Sequence, residues 1–411
     1  MTGRRTATVV GGGLAGLAAA ASLLQAGWRV LVLERATAFG EVGAGLAVTR
    51  NGMAALDALG LGEQVRAAGH RTWAAGTKDQ QGRWLLRIPG DPAAPDAVSR
   101  VWGVHRQRLH AVLLAAAAGA DLVTGARVVR VRAGDPAGEP AAVTWLDGTG
   151  EHSATADLTV AADGIRSAVR GELFGPRAPA LRYSGRTSWR AVVDDDSTPD
   201  QGFAAHWGPQ AEFGAVRISD RQVYWYGYVR RPAGLPSADE LGAAAARFAG
   251  WAPEVRATIA ATTPAQLLRH DVHHLPGGLP AYVQGRTVVI GDAAHAMLPT
   301  MGQGANTSLE DGLCVGRLIA EPVDAGTPLG TALAGFDRAR RPRCRQIARR
   351  SLQTARFGAH VPGGAAQALR DAAVRRVPSG LVAAAGTGVL RWEAPRAAAS
   401  GGPASATRDR P

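Results

Sequence analysis

The sequence predicts an α/β protein: a parallel sheet with crossover helices, an inserted and mostly antiparallel second sheet, and a C-terminal helical segment. Two β-branched apolar runs that end in glycine-rich turns, 6–10 before Gly11 and 287–290 before Gly291, have the composition of buried parallel strands. Between them, the alternating stretch 222–229 reads as a half-buried strand of another sheet.

Taken in order, residues 6–10 form the first strand, Gly11-Gly12-Gly13-Leu14-Ala15-Gly16 a turn, and an alanine-rich helix follows to about Ala26. A second strand over 29–33 closes on Glu34-Arg35. This is a dinucleotide fingerprint in a strand-helix-strand context. Gly11 permits the tight turn, Gly13 lets backbone approach a pyrophosphate, Gly16 allows helix and strand to pack, and Glu34, 21 residues beyond Gly13, can take ribose hydroxyls. At this point NAD and FAD fit equally, since both offer an adenosine ribose without a 2′-phosphate.

Residues 41–45, Glu-Val-Gly-Ala-Gly, are flexible enough to pass over a bound ring system, or form a plain loop. A helical pattern follows over 50–61, and strands of the second sheet over 71–100. His105-Arg106 opens a helix through Ala118, 121–131 reads as a strand pair turning at Gly125, and 157–161 as another buried strand. That strand leads into Asp163-Gly164-Ile165-Arg166-Ser167-Ala168-Val169-Arg170, where Asp163 either serves a cofactor's polar groups or caps a helix.

From 181 to about 270 the pattern is sheet-like, with Gln222, Tyr224, Tyr226 and Tyr228 on one face of a strand and Val223, Trp225 and Val229 on the other. The tyrosine face lines a pocket or is buried in protein. Gly291-Asp292 then opens a loop carrying Pro299 and Gly302-Gln303-Gly304-Ala305-Asn306, and a helix begins near Ser308; its N-terminus favours negative charge. Residues 311–319 and 330–352 are helical, and the basic run 338–343 reads as a solvated helix face and turn. The expected organisation is a nucleotide-binding domain over 1–71, 101–180 and 271–335, a substrate domain over 72–100 and 181–270, a helical segment over 336–393 and a disordered tail over 394–411.

Net charge is +12, yet only Lys78 among the 46 basic residues is a lysine, and the arginines are scattered apart from 338–350. Genome composition explains that better than nucleic-acid binding, which would be detected as retention on DNA that weakens with salt. Two cysteines, Cys314 and Cys344, are too few for a disulfide framework, and Asp271, His273 and His274 lack the further ligands of a metal site, so no metal is expected. No apolar run reaches the ~20 residues of a membrane span, and no signal-peptide layout is present. A cytoplasmic protein is expected, as a monomer or homodimer.

Three motifs stand in fixed order: GGGLAG with Glu34, DGIRSAVR at 163–170, and GDAAHAMLPTMGQGAN at 291–306. Together, over roughly residues 5–375, they resemble the single-component FAD-dependent aromatic hydroxylases, flavoprotein monooxygenases with the para-hydroxybenzoate hydroxylase fold. The stretches 185–190 and 223–226 look more like the branch with salicylate, 3-hydroxybenzoate and urate hydroxylases and zeaxanthin epoxidase. That resemblance implies a Rossmann-like FAD-binding domain. Gly11, Gly13, Leu14, Ala15 and Gly16 would lie at the FAD pyrophosphate, Glu34 and Arg35 at the adenosine ribose, Arg106 at the cofactor and Val128 at the adenine. Asp163 and Arg170 would belong to the motif linked to FAD and NAD(P)H, Asp292 would bind the ribityl chain, and the backbone of Gly302, Gln303, Gly304, Ala305 and Asn306 would face the flavin N1 and C2 carbonyl. Pro299 would sit close to the oxygen chemistry.

The implied reaction is hydroxylation or epoxidation of an aromatic or polycyclic small molecule: NAD(P)H, a transient co-substrate, reduces FAD, O2 adds at C4a, and the hydroperoxide transfers oxygen. His206 lies where some relatives keep a polar residue that assists phenol deprotonation, or is a surface histidine. Arg217 stands where relatives usually have proline; it points at an anionic or oxygen-rich substrate or is solvated on an edge strand. Tyr224 and Tyr226 are substrate-contact candidates. The rivals are a flavin reductase or dehydrogenase of the same fold without oxygen insertion, and a non-catalytic FAD or ligand binder. The arginine-rich composition is compatible with specialised metabolism.

Overall fold

The computed structural model describes residues 4–40, 43–88, 99–195, 202–378 and 388–397. Glu41 and Val42 of the expected flexible stretch, residues 89–98 of the expected insert and most of the expected tail lie outside the described residues.

Six strands form the nucleotide-binding sheet in the spatial order Val283–Gln284, Thr287–Val289, Leu158–Ala161, Thr6–Val10, Arg29–Leu33, Asp121–Val123. All pairings are parallel except that of Val283–Gln284. The central strands are buried on both faces, which is why their sequences are continuous Val, Ile, Leu and Ala rather than alternating. Helix Leu14–Gln25 packs on this sheet, and ten of its twelve residues are buried.

The second sheet has nine strands in the path Leu268–His274, Arg182–Asp194, Gln222–Arg230, Ala211–Arg217, Phe203–Gly208, Gly69–Asp79, Arg100–His105, Gly45–Thr49, with Trp84–Arg87 beside Gly69–Asp79. Only Phe203–Gly208 runs parallel to its neighbour Gly69–Asp79. The sheet therefore reaches further than the expected insert: Gly45–Thr49 and Arg100–His105, flanking the substrate segment in sequence, pair with each other and extend it.

Three local expectations are corrected. The strands of 121–131 do not pair with each other; Asp121–Val123 joins the parallel sheet and Arg127–Arg132 a separate three-stranded sheet with the hairpin Ala141–Asp147 and Gly150–Ala156. The region 181–270 is not all sheet: helices Glu240–Arg247 and Pro253–Ala260 cover its outer face, where Trp189, Phe213, Trp225, Phe248 and Trp251 form a second core. Asp239 caps the first of these helices through the Gly242 N–H at 2.8 Å. Third, the basic run is not a solvated turn. Helix Leu329–Thr354 continues through Pro342, and Arg340 is 1% exposed.

Candidate functional site

The first motif is held shut by its own backbone. Gly11 has φ +107°, and a Cβ there would come 2.4 Å from the Ala162 carbonyl oxygen; at Gly16 a Cβ would meet the Gly11 carbonyl oxygen at 1.9 Å. Glu34 accepts the Gly12 N–H at 2.7 Å and the Ala36 N–H at 2.8 Å, which leaves lone pairs on both oxygens for further donors. His110, not singled out in the sequence, bonds the Gly12 carbonyl at 2.8 Å from the helix Arg106–Ala116. Arg35 is exposed beside this turn, and Val128 packs against the large core.

Helix Leu14–Gln25 has Gly13 at its N-cap and no side chain capping its free N–H groups; helix Gly304–Val315 likewise starts uncapped after Gln303. The two helices run parallel and in step. A Cβ at Gly291 would lie 2.9 Å from Ala15 and 3.1 Å from Ser308 Oγ, one at Gly312 would meet Ala18 at 2.5 Å, and one at Gly316 would meet Ser22 Oγ at 1.9 Å. Ser22 Oγ donates to the Leu313 carbonyl at 3.0 Å. Two positive helix ends thus stand side by side where the parallel strands finish, an arrangement that favours negative charge.

Between them Asp292 is exposed, with an oxygen 4.0 Å from a Cβ built at Gly304. It offers an acceptor to a polyhydroxyl chain at this junction. Pro299 begins an exposed turn that ends at Gly302, φ +61°, with open space around a Cβ there. The Thr300 hydroxyl donates to the Ser351 carbonyl at 2.7 Å and fixes the turn to helix Leu329–Thr354. A dinucleotide with a ribityl arm and a planar ring fits these residues: acceptors for hydroxyls, uncapped N–H groups for anionic atoms, and open space about Gly302.

Gln303 and Asn306 bring their backbone to this cradle but spend their side chains elsewhere. Asn306 accepts the Thr49 N–H at 2.9 Å and donates to the Ala47 and Gly302 carbonyls; Gln303 accepts from Asn51 at 3.0 Å and donates to Thr49 Oγ1. They clamp the strand Gly45–Thr49 to the loop. Ala305 is half-buried against the core.

Asp163 accepts the Ser167 hydroxyl at 2.5 Å and the Val169 N–H at 3.1 Å; Ser167 is the residue that caps the helix Ala168–Phe174. Burial holds the Asp163 carboxyl above its ordinary range despite these bonds. Arg170, buried, donates to the Ala293 and Ile165 carbonyls at 2.9 and 2.8 Å. Burial lowers its pKa, against the opposing pull of Asp163 and Asp292. The second motif therefore braces the third.

Beneath the loop lies a charged core that sequence reading missed. Arg340 bonds Glu310 and Asp311, both at 2.7 Å; Arg343 bonds Glu310 at 2.7 Å; Asp311 accepts His295 at 2.6 Å and the Gly291 N–H at 3.0 Å. Burial disfavours the His295 imidazolium, but the facing Cys344 and Asp311 outweigh it and hold the ring protonated well above the usual histidine range. Burial likewise opposes the Asp311 carboxylate, and Arg340 and His295 overcome it. His295, Asp311 and Cys344 bring potential ligand atoms within 4.8 Å of one another, but Arg340 and the imidazolium already supply the balancing positive charge.

The tyrosine face of the large sheet meets the stretch 43–45 directly, since a Cβ at Gly45 would strike Tyr224 at 2.2 Å. Arg190 lies opposite Tyr226 and bonds Tyr224, and Arg106, whose N–H donates to the Ala44 carbonyl at 2.8 Å, acts electrostatically on the same tyrosine. Tyr224 is 9% exposed and Tyr226 half-buried, and the hydroxyl of Tyr226 donates to Glu212 at 2.6 Å.

Two substrate-side expectations are corrected. His206 is on the opposite face, pairing Phe213 and bonding Glu254 of helix Pro253–Ala260 at 3.3 Å; it is buried there, neither a pocket residue nor a surface one. Arg217 is 8% exposed within an interior strand, donating to the Asp195 and Asp220 carbonyls at 2.7 and 3.0 Å, so it ties down a turn instead of meeting substrate or solvent.

Residues 4–351 match the family model described as an FAD binding domain. The aurachin C monooxygenase/isomerase of Stigmatella aurantiaca is 34% identical over 356 residues, 86% of this chain and 89% of that protein. The 6-hydroxynicotinate 3-monooxygenase of Pseudomonas fluorescens is 33% identical, over 81% of this chain and 87% of that protein. The crystal structure of Klebsiella pneumoniae HpxO complexed with FAD and uric acid aligns with a TM-score of 0.81 at 25% identity, covering 95% of this chain and 97% of that one.

Proposed function

Since this chain belongs to the FAD binding domain family, we infer that it is an FAD-dependent monooxygenase that uses NAD(P)H and O2 to oxygenate an aromatic or polycyclic small molecule. The observation that carries the assignment of the site is the pair of parallel, uncapped helix N-termini meeting at Gly291, with Asp292 between them. FAD, when bound, supplies the two-electron chemistry and the activation of oxygen. The chain supplies the rest. The backbone at Gly13-Leu14-Ala15-Gly16 holds the pyrophosphate, Glu34 the adenosine ribose and Asp292 the ribityl chain. The uncapped N-terminus of helix Gly304–Val315 would favour negative charge on a ring held beside it, an electrostatic contribution that needs no acid or base. Arg170 acts behind these groups by fixing Ala293, and Gln303 and Asn306 by fixing 45–49 over the site.

Tyr224 packs against Gly45, with Arg190 and Tyr226 beside it on the same face of the large sheet, and these three orient the substrate. Pro299 and Gly302 border the entrance from the loop. No helix among the described residues is long and apolar enough to cross a membrane. The test is incorporation of isotopically heavy dioxygen. With NADPH and a panel of phenols and hydroxylated heteroaromatics, a product carrying one heavy oxygen atom is expected; NADPH consumption without label in any product would instead support a reductase.

A further inference from the structure

A cavity of about 50 Å³ lies between residues 295–298 of the third motif, the chain leaving the strand Leu268–His274, and the helix Leu329–Thr354. A single water needs only ~10–15 Å³, so the space admits a polyatomic ligand. Its polar lining is His274, His295, Arg345 and Arg349, and no acidic residue borders it. Buried Leu275 and Leu298 complete the wall, and Gly277 borders it with nothing within 4 Å of a Cβ. The Leu275 N–H donates to the Ala296 carbonyl at 2.8 Å, and Arg345 Nη2 donates to the Leu279 carbonyl at 2.7 Å, so the lining is fixed in place.

Three of these side chains have donors to spare. His295 is 2% exposed and gives Nε2 to Asp311 at 2.6 Å, while its Nδ1 is buried with no hydrogen-bond partner among the described residues. Arg345 Nε is buried and unpartnered in the same way. Arg349, exposed on the next turn of the helix, has no hydrogen bond or ion pair among the described residues. Burial lowers the His274 pKa, so that ring is neutral near pH 7 and adds no charge. Asp311 balances His295, but among the described residues no carboxylate pairs with Arg345 or Arg349. Orphaned buried donors are costly. Water would satisfy them without supplying charge, whereas an anion supplies acceptors and charge together.

We propose that this cavity binds a small inorganic oxyanion of the size and charge of phosphate, held by His295 Nδ1, Arg345 Nε and the Arg349 guanidinium. The site shares no residue with the glycine turn 11–16, where the pyrophosphate of FAD is placed. One wall continues into the turn at Pro299, which Thr300 already pins to Ser351 of the helix. A bound anion joins the same loop to the same helix a second time, through His295 on one side and Arg345 and Arg349 on the other. An ion that binds only the closed arrangement stabilises it by mass action, so its occupancy holds the loop shut over the flavin.

The test titrates holoenzyme, its pyrophosphate site filled by FAD, with inorganic phosphate at an ionic strength held constant with sodium chloride. Broadening of the free phosphate resonance in phosphorus NMR reads binding, and it should saturate on the wild type. Arg345→Gln and Arg349→Gln should each bind phosphate about tenfold more weakly, whereas Arg356→Gln, an exposed arginine outside the cavity, should match the wild type. Flavin absorbance shows whether each variant keeps its fold, and two cavity variants guard against the loss of one. A second readout is the rate of flavin release on dilution, followed by flavin fluorescence. Release from the wild type should be slower in saturating phosphate than in chloride of equal ionic strength, and the difference should vanish in the two cavity variants. No saturable broadening on the wild type overturns the proposal, as does equal broadening in the wild type and both cavity variants, which would place the ion elsewhere on the surface. Saturable binding that leaves flavin release unchanged overturns the coupling to the loop. Neither readout needs turnover, so the proposal fails independently of the isotope experiment.

Discussion

Replacing Arg340 with methionine removes a charge while keeping much of the side chain's length. The guanidinium is buried between Glu310 and Asp311, at 2.7 Å from each, so the variant leaves Glu310 to Arg343 and Asp311 to His295. Deleting one partner of a buried ion pair costs about 3–5 kcal/mol, because the carboxylates it faced stay desolvated. That is a large share of a typical stability of about 5–15 kcal/mol. Asp311 also accepts the Gly291 N–H, so the damage should reach the cofactor loop as well as the fold. Urea unfolding followed by tryptophan and flavin fluorescence should show Arg340→Met weakened by about 3–5 kcal/mol and losing FAD before the remaining structure unfolds. Arg338→Met, exposed on the same helix, should stay within about 0.5 kcal/mol of the wild type. If Arg340→Met unfolds within about 1 kcal/mol of the wild type and keeps its flavin, the charged core is not what holds the loop.

Asp292→Ala should purify largely without flavin yet keep its secondary structure by circular dichroism, since the side chain is exposed; full flavin retention would contradict its role at the ribityl chain. Gly16→Ala places a Cβ 1.9 Å from the Gly11 carbonyl oxygen and should weaken FAD binding at least tenfold by isothermal titration, whereas Gly40→Ala, with open space around its Cβ, should not. For Glu212, the folded pKa of about 7 lies above the unfolded value near 4.5, so the folded state binds the extra proton and stability falls as pH rises between those values. The loss is roughly 3 kcal/mol, and Glu212→Gln should abolish that limb. Parallel curves for wild type and variant from pH 5 to 8 in chemical denaturation would show that Glu212 does not titrate in this window.

Where meaning is local, the sequence was readable. The strand, turn and helix at 6–25 could be identified because the glycines act on their immediate neighbours, and the alternation of 222–229 assigned the faces of its strand correctly. What failed depended on partners far away in the chain. His206 faces inward because a helix 48 residues later covers it, and Arg340 is buried because its carboxylate partners lie about thirty residues upstream on another helix. An arginine run looks the same in sequence whether or not acids are folded against it. Glu212 was missed because only the strand register brings it to Tyr226, fourteen residues on. The helices over 240–260 were missed for another reason: the sheet-like reading of 181–270 passed over a local signal, the Asp239 cap and the alanine run behind it.

The in-step packing of Leu14–Gln25 against Gly304–Val315 also constrains when the cofactor can be loaded. During synthesis the first glycine turn emerges early, but its partner helix and the strand Thr287–Val289 follow nearly three hundred residues later. The antiparallel sheet between them is almost complete by then and can fold as a unit. Flavin incorporation is therefore a late event, and the unfinished parallel sheet, with its apolar edge at Leu158–Ala161 unpaired, is the nascent species most exposed to aggregation.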